Sequence, residues 1–220
     1  MPKVIDFDTR RREIAAKAAA VLARNGILEA NIGKVADSCG LGRTTLYQYF
    51  RNIGELVEFT LAETFEEMDH EAERLRSDRA MDAIERLRRF MLFLEREAIE
   101  SKDRMVLVLD FLLHPLRGQN GIEFNVQERV RILRGELEGI LAEAVASGEL
   151  RSMDTKSMAF TLFAFIEAAT VHSALYDNIS LENTMRDIDL IIDGLRTRSE
   201  RGGLSAQRTR PAAPSRQRSP

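Results

Sequence analysis

The sequence predicts an all-α fold, a small three-helix N-terminal unit ahead of a larger helical bundle. Three features carry this reading. Apolar residues recur at spacings of three and four along most of the chain, no stretch alternates with a period of two, and Gly, Asn and Pro fall where the periodic runs stop.

Over 9–25, Ile14, Ala15, Ala18, Ala19 and Leu22 fall at helical spacing, and Gly26 is placed to stop the helix. Asn31 caps a short second helix through Cys39, with Ile32, Val35 and Ala36 facing inward. Gly40-Leu41-Gly42 makes a tight turn, and a third short helix follows to Phe50. Asn52 then caps a long helix running to about Ser77. Further helices are expected at roughly 80–100, 103–114, 122–147, 155–177 and 182–198. His114-Pro115 ends one of them, because the residue before proline disfavours helical backbone. "RGQNG" (117–121) reads as a loop and "SGELRSMD" (147–154) as a turn. From 199 onward the chain is rich in Arg, Pro, Ser and Gly with little to bury, so disorder is expected there. The domains are therefore 1–54, 55–198 and a tail, 199–220.

Composition excludes several classes. A hydrophobic content of 44% with 30% charged residues is that of a globular protein, not of a disordered or fibrous one. The most apolar run, 158–171, is interrupted by Thr161, Glu167 and Thr170 and reads as too short to span a bilayer, so no membrane partner is expected. The start, "MPKVIDFDTRRRE", lacks the apolar region of a secretory signal, and the single Cys39 rules out an intrachain disulfide framework. A cytoplasmic protein is expected. No nucleophile elbow, phosphate loop or zinc-ligand spacing is present, so catalysis, a cofactor and a metal site are not expected. Glu66 and His70 stand four apart, but they read as a solvated charged face.

Net charge is −3, yet its distribution is uneven. Residues 1–54 hold nine Lys/Arg against five Asp/Glu, while the middle of the chain is strongly acidic. A basic head on an acidic body points to an anionic partner met at the N-terminal end.

The stretch "GRTTLYQYF" (42–50) shows how that partner would be read. At about 100° per residue Leu46 and Phe50 define a buried side, and Thr44, Thr45 and Gln48 point the opposite way. Tyr47 and Tyr49 fall on the flanks and Arg43 at the N-terminal end. Small polar groups facing outward can approach base edges, and phenol hydroxyls on the flanks can reach phosphates. With the preceding helix laid across it, this is a helix-turn-helix whose second helix reads. A polar-faced cap on the bundle would show the same amphipathic pattern.

Residues 10–56 resemble the DNA-binding domain of TetR-family transcriptional regulators, on "RREIAAKAAAVLARNG", "IGKVADSCGLGRTTLYQYF" and "NIGELVEFTLAE" in that order and spacing. The resemblance implies an all-helical homodimer in which three helices bind DNA and a larger domain binds an effector and dimerises. It implies DNA contacts at Thr45, Tyr47 and Tyr49 and sequence preference at Arg43, Thr44 and Gln48. Two departures stand out: Ile53 replaces a Lys that usually meets a phosphate, leaving Arg51 to substitute, and Gly42 replaces a capping Ser or Thr. Gly33 fills a position often polar or charged, which makes Lys34 the second-helix contact.

In the larger domain, Phe65, Met68, Phe90, Met91, Leu94, Leu109, Leu112, Met158, Leu162 and Ile166 are candidates to line a pocket, each equally readable as bundle core. Eight Met and eleven Phe with no Trp make an adaptable apolar interior. His114, Asn125, Gln127, Glu167, Thr170 and His172 are the polar groups that could orient a ligand there. "FTLFAFIEAATVHSALY" (160–176) is apolar around most of its circumference, so its helix and the next are the expected dimer face. The expected protein is a dimeric repressor on double-stranded DNA with a palindromic operator, released by a small apolar or amphipathic effector through a shift of the fourth helix. A DNA-bound interaction factor without a ligand and a helical-bundle enzyme are the alternatives.

Overall fold

The computed structural model describes residues 6–27, 29–78, 80–113, 125–176 and 180–197. Those residues form nine helices: α1 (Phe7–Asn25), α2 (Ile32–Cys39), α3 (Arg43–Tyr47), α4 (Ile53–Ser77), α5 (Ala83–Glu100), α6 (Lys102–Leu113), α7 (Val126–Ala146), α8 (Thr155–Leu175) and α9 (Leu181–Leu195). The fold is all-α, its one extended pairing among the described residues being an isolated bridge between Leu150 and Arg196.

Side-chain caps set most of the starts. Asn31 accepts the Lys34 N–H at 3.0 Å, Asn52 the Glu55 N–H at 2.8 Å, and Asp82 the Glu85 N–H at 2.7 Å. Asn125, Asp154 and Ser180 do the same for α7, α8 and α9. α2 stops at Gly40, whose φ of 65° lets the Gly40 and Leu41 N–H groups turn back onto Asp37 and Ala36 carbonyls.

Several boundaries depart from the sequence pattern, α5 and α7 starting at Ala83 and Val126 and three others having a visible cause. α3 ends at Tyr47, and the segment to Phe50 tightens, with the Gln48 and Tyr49 N–H groups bonding three residues back to Thr45 and Leu46. α9 ends at Leu195, because Arg196 turns extended to bridge Leu150 and the Arg151 N–H donates to the Leu195 carbonyl at 3.0 Å. α1 starts two residues early, at Phe7, whose ring stacks on Tyr49 with centroids 5.1 Å apart. The expected stop at His114-Pro115, the 117–121 loop and the 199–220 tail lie outside the described residues.

α5 is the centre of the body and packs against α4, α6, α7, α8 and α9. Its Leu87, Phe90, Met91 and Leu94 belong to one continuous core that runs from Ile14 of the head to Leu195. α8, at 21 residues, is long and apolar enough to cross a membrane, so the shorter 158–171 reading understated it. Here it packs against α5, α6 and α7. Head and body meet where α1 crosses α6, and there the Ile27 N–H donates to Asp110 Oδ2 at 3.0 Å.

Glu95 on α5 is fully buried, and neither of its carboxylate oxygens meets a donor at bonding geometry among the described residues. Burial pushes its pKa up to about 7, with the Thr184 hydroxyl pulling the other way. The folded chain thus keeps a proton that the unfolded chain, near 4.5, has released. Stability from this source is full below pH 4.5 and is lost as pH rises through 7. Urea unfolding from pH 4.5 to 8 should show Glu95→Gln gaining on the parent chain as pH rises, by up to about 3 kcal/mol at pH 8. A pH-independent difference would mean that Glu95 titrates normally.

Candidate functional site

The head presents its residues as two faces. Leu46 and Phe50 are fully buried, while Arg43, Thr44, Tyr47 and Gln48 are exposed and Thr45 and Tyr49 half-buried. The tight turn after Tyr47 keeps the angular sorting, since the Phe50 N–H still bonds to the Leu46 carbonyl at 3.0 Å. Gly42 supplies no side-chain cap to α3, and Ile53 packs against the core. Lys34 is exposed on the first turn of α2, its Nζ 3.2 Å from Asn25 Oδ1 and 3.3 Å from the Glu29 carbonyl.

Arg51 takes a second task. Its backbone N–H and its Nε both donate to Glu55 Oε2, at 2.8 and 3.0 Å, and Arg11 donates to Glu55 Oε1 at 3.1 Å. The Arg51 N–H, opposed in part by burial and aided by the two guanidiniums, holds the Glu55 carboxyl below its usual range. The Arg11 guanidinium also sits 4.8 Å from the Phe50 ring centre and 4.4 Å from that of Phe59. Glu55 therefore pins α1, the end of the reading segment and the start of α4 together. The readable signal for it is Asn52-x-x-Glu55, a capping-box spacing; Arg11 and Phe59 leave no mark in the pattern.

In the body, α4 through α8 surround an apolar cavity of about 470 Å³ of atom-free space, its mouth included. Phe65, Met68, Leu94, Leu109, Leu112, Ile166, Glu167 and Thr170 line it, together with Met105, Val108, Val130, Leu133 and Phe163. Phe90, Met91 and Leu162 are core residues away from the lining, and Met158 is half-buried against that core. His114 lies outside the described residues. Asn125 caps α7, Gln127 is exposed, and His172 is exposed with its ring edge-on to Tyr176. Met105 and Val108 share a helix face with Leu109 and Leu112 and were readable from that spacing. Val130, Leu133 and Phe163 carry the same apolar signal as any core position.

Only two lining residues are polar. The Thr170 hydroxyl donates to the Ile166 carbonyl at 3.0 Å, and burial raises the Glu167 pKa against the opposing charge of Arg134. Among the described residues, no Lys, Arg or His lines the cavity. Glu66 and His70 stand 3.8 Å apart on the exposed surface of α4.

Residues 14–59 match the family model for bacterial regulatory proteins, tetR family, and residues 120–188 match that for the tetracyclin repressor-like C-terminal domain. The chain belongs to the TetR family. A curated relative, the fatty acid metabolism regulator protein of Bacillus subtilis (strain 168), is 24% identical over 203 residues, covering 83% of this chain and 94% of the relative. The ketosteroid transcriptional regulator KstR2 of Mycobacterium tuberculosis superposes with a TM-score of 0.70 at 17% identity, covering 86% of this chain and 95% of that one. The transcriptional regulator FadR of Bacillus subtilis, solved in complex with stearoyl-CoA, gives 0.60 at 21% identity, over 82% and 96%. At these identities the solved structures speak to the fold, and the family models carry the assignment as a DNA-binding transcriptional regulator.

Two substitutions test the faces of this TetR-family head. Gln48→Ala should cost about 1–3 kcal/mol on a selected operator and relax preference at one base pair per half-site. Tyr47→Phe, which removes only a hydroxyl, should weaken operator and random duplex by similar factors with an unchanged salt slope. Fluorescence anisotropy on both duplexes reads the difference; the reverse pattern would mean the segment enters the groove in another rotation.

Proposed function

We propose that this TetR-family regulator is a homodimeric repressor of a palindromic operator, released when its cavity takes up the acyl chain of an acyl thioester, whose carbonyl end carries no charge. The observation that carries the reading is the double use of α6. At about 100° per residue, Met105, Val108, Leu109 and Leu112 form one face, on the cavity, and Asp110 lies roughly 150° round from it. Asp110 is the residue that holds the α1–α2 junction through Ile27. A ligand that moves the cavity face of α6 therefore moves the support of the head. α4 gives a second link, since Phe65 and Met68 line the cavity about 15 and about 20 Å along the helix from Glu55.

The lining supports the ligand class. An acyl chain suits an apolar wall in which Met68 and Met105 can rearrange to make room for it. A free carboxylate would face Glu167, and among the described residues no cation lines the cavity to meet it, whereas a thioester carries no charge at the carbonyl. The relative named for fatty acid metabolism and the solved stearoyl-CoA complex point the same way. An open cavity favours this reading over a ligand-free interaction factor. Among the described lining residues Glu167 alone titrates, and the family's role as regulators supports a binding protein acting in the cytoplasm.

Dimerisation is supported by α8 and α9, where Phe160, Phe165, Val171, Leu175, Tyr176 and Leu190 are all exposed in the single chain. Such a patch fits an isologous helix–helix interface that would set the two heads one helical turn apart on DNA.

Palmitoyl-CoA at a hundred times its Kd should add about 2.7 kcal/mol to stability and release a selected operator. Palmitate should do neither on the parent chain, but should bind about tenfold better to Glu167→Gln. Palmitate acting as well as palmitoyl-CoA would remove the head-group argument, and neither compound acting would remove the acyl reading.

A further inference from the structure

Arg43 opens the reading helix, at a position to which the family resemblance gives a part in base preference. Its side chain lies elsewhere. A Cβ built on Gly33 would stand 2.8 Å from Arg43 Nη2 and 3.0 Å from both Cζ and Nε, so the guanidinium occupies the space that any other residue at 33 would fill. Gly33 is buried within α2 and is not among the glycines with positive φ, so what it contributes is room, not backbone freedom. Lys34 is the next residue along, exposed on the same turn. Among the described residues no acid pairs with Arg43 or Lys34, in a chain where most other arginines of the described helices do find a carboxylate.

In helix-turn-helix docking the second helix enters the major groove while the first crosses the sugar–phosphate backbone. A guanidinium laid on the first turn of α2 is therefore on the backbone side, with Lys34 beside it. We propose that Gly33 seats Arg43 as a phosphate-contacting residue, leaving Thr44, Thr45 and Gln48 to read bases. The assignment rests on the DNA-binding reading of the head. Contacts to phosphate fix register and add salt-dependent affinity but carry no sequence information. Glycine at 33 is thus a positioning residue: by omitting a side chain it decides which part of the DNA Arg43 meets.

The test is a double-mutant cycle on the full-length protein, with Arg43→Ala, Gly33→Ala and the pair together. Each is titrated across a salt series against the best palindromic duplex selected from a randomised pool and against a random duplex. Arg43→Ala, which removes one contact from each subunit of the dimer, should weaken both duplexes by at least about tenfold and flatten the salt slope by about two. Gly33→Ala displaces only the far end of a flexible side chain, so its melting temperature should not fall. Its affinity for both duplexes should nevertheless drop by one common factor, with a flatter slope. The double variant should bind no more weakly than Arg43→Ala alone, because the two changes remove the same contact. The assignment is overturned if Arg43→Ala loses discrimination at one base pair while random DNA binding stays unchanged. It is equally overturned if Gly33→Ala leaves affinity and slope untouched, or if the two effects add. A parent chain with no salt-dependent affinity for either duplex would remove the DNA-binding reading, and this assignment with it.

Discussion

One hydrogen bond sits where the two halves of the molecule meet, from the Ile27 N–H to the Asp110 carboxylate at 3.0 Å. It comes from the segment joining α1 to α2 and ends on α6, a helix whose opposite face walls the cavity. α6 must therefore satisfy two packing surfaces at once. A close-packed interior does not deform smoothly, so a helix held on both sides responds to a new occupant by shifting between arrangements. That constraint makes the cavity relevant to the head at all.

For such a shift to matter, the head has to move as a body. Glu55 provides this by accepting from Arg11 of α1 and from Arg51 just before α4, while Arg11 lies over Phe50 at the end of the reading segment. Phe7 stacks on Tyr49 from the other side. In the proposed mechanism, with α1, the reading segment and the start of α4 pinned together, displacement at Ile27 is passed to Thr44 and Gln48 without being absorbed between them. In that mechanism phosphate contacts hold the head in register while base contacts select the site, both being lost together when the head tilts.

Much of this was legible in the sequence, and the residues show why. Helix starts were readable because Asn31 and Asn52 cap by a local hydrogen bond, and the inward faces because Leu46 and Phe50 stand four apart. What escaped depends on distant partners. Phe7 extends α1 only because Tyr49 is there to stack on it, and α9 stops at Leu195 only because Leu150 offers a bridge. For the cavity, helical spacing marks a residue as inward but does not separate a wall from a core. Leu94 and Phe90 carry the same signal, yet Leu94 lines the cavity and Phe90 does not. The seat of the Arg43 side chain escaped for a related reason: it lies in the space left by the absent side chain at Gly33, which no pattern of present residues records.

The central claim is that cavity and head are coupled through α6. The measurement that tests it most directly is the change in operator affinity caused by saturating palmitoyl-CoA, compared between the parent chain and Asp110→Ala, which removes the acceptor. By linkage the parent chain should show operator and ligand weakening each other by one factor, of about 5- to 150-fold. In Asp110→Ala the ligand should still bind and raise the melting temperature, while that factor falls toward one. A variant that keeps the full factor would contradict the account, and the signal would then have to run through another helix.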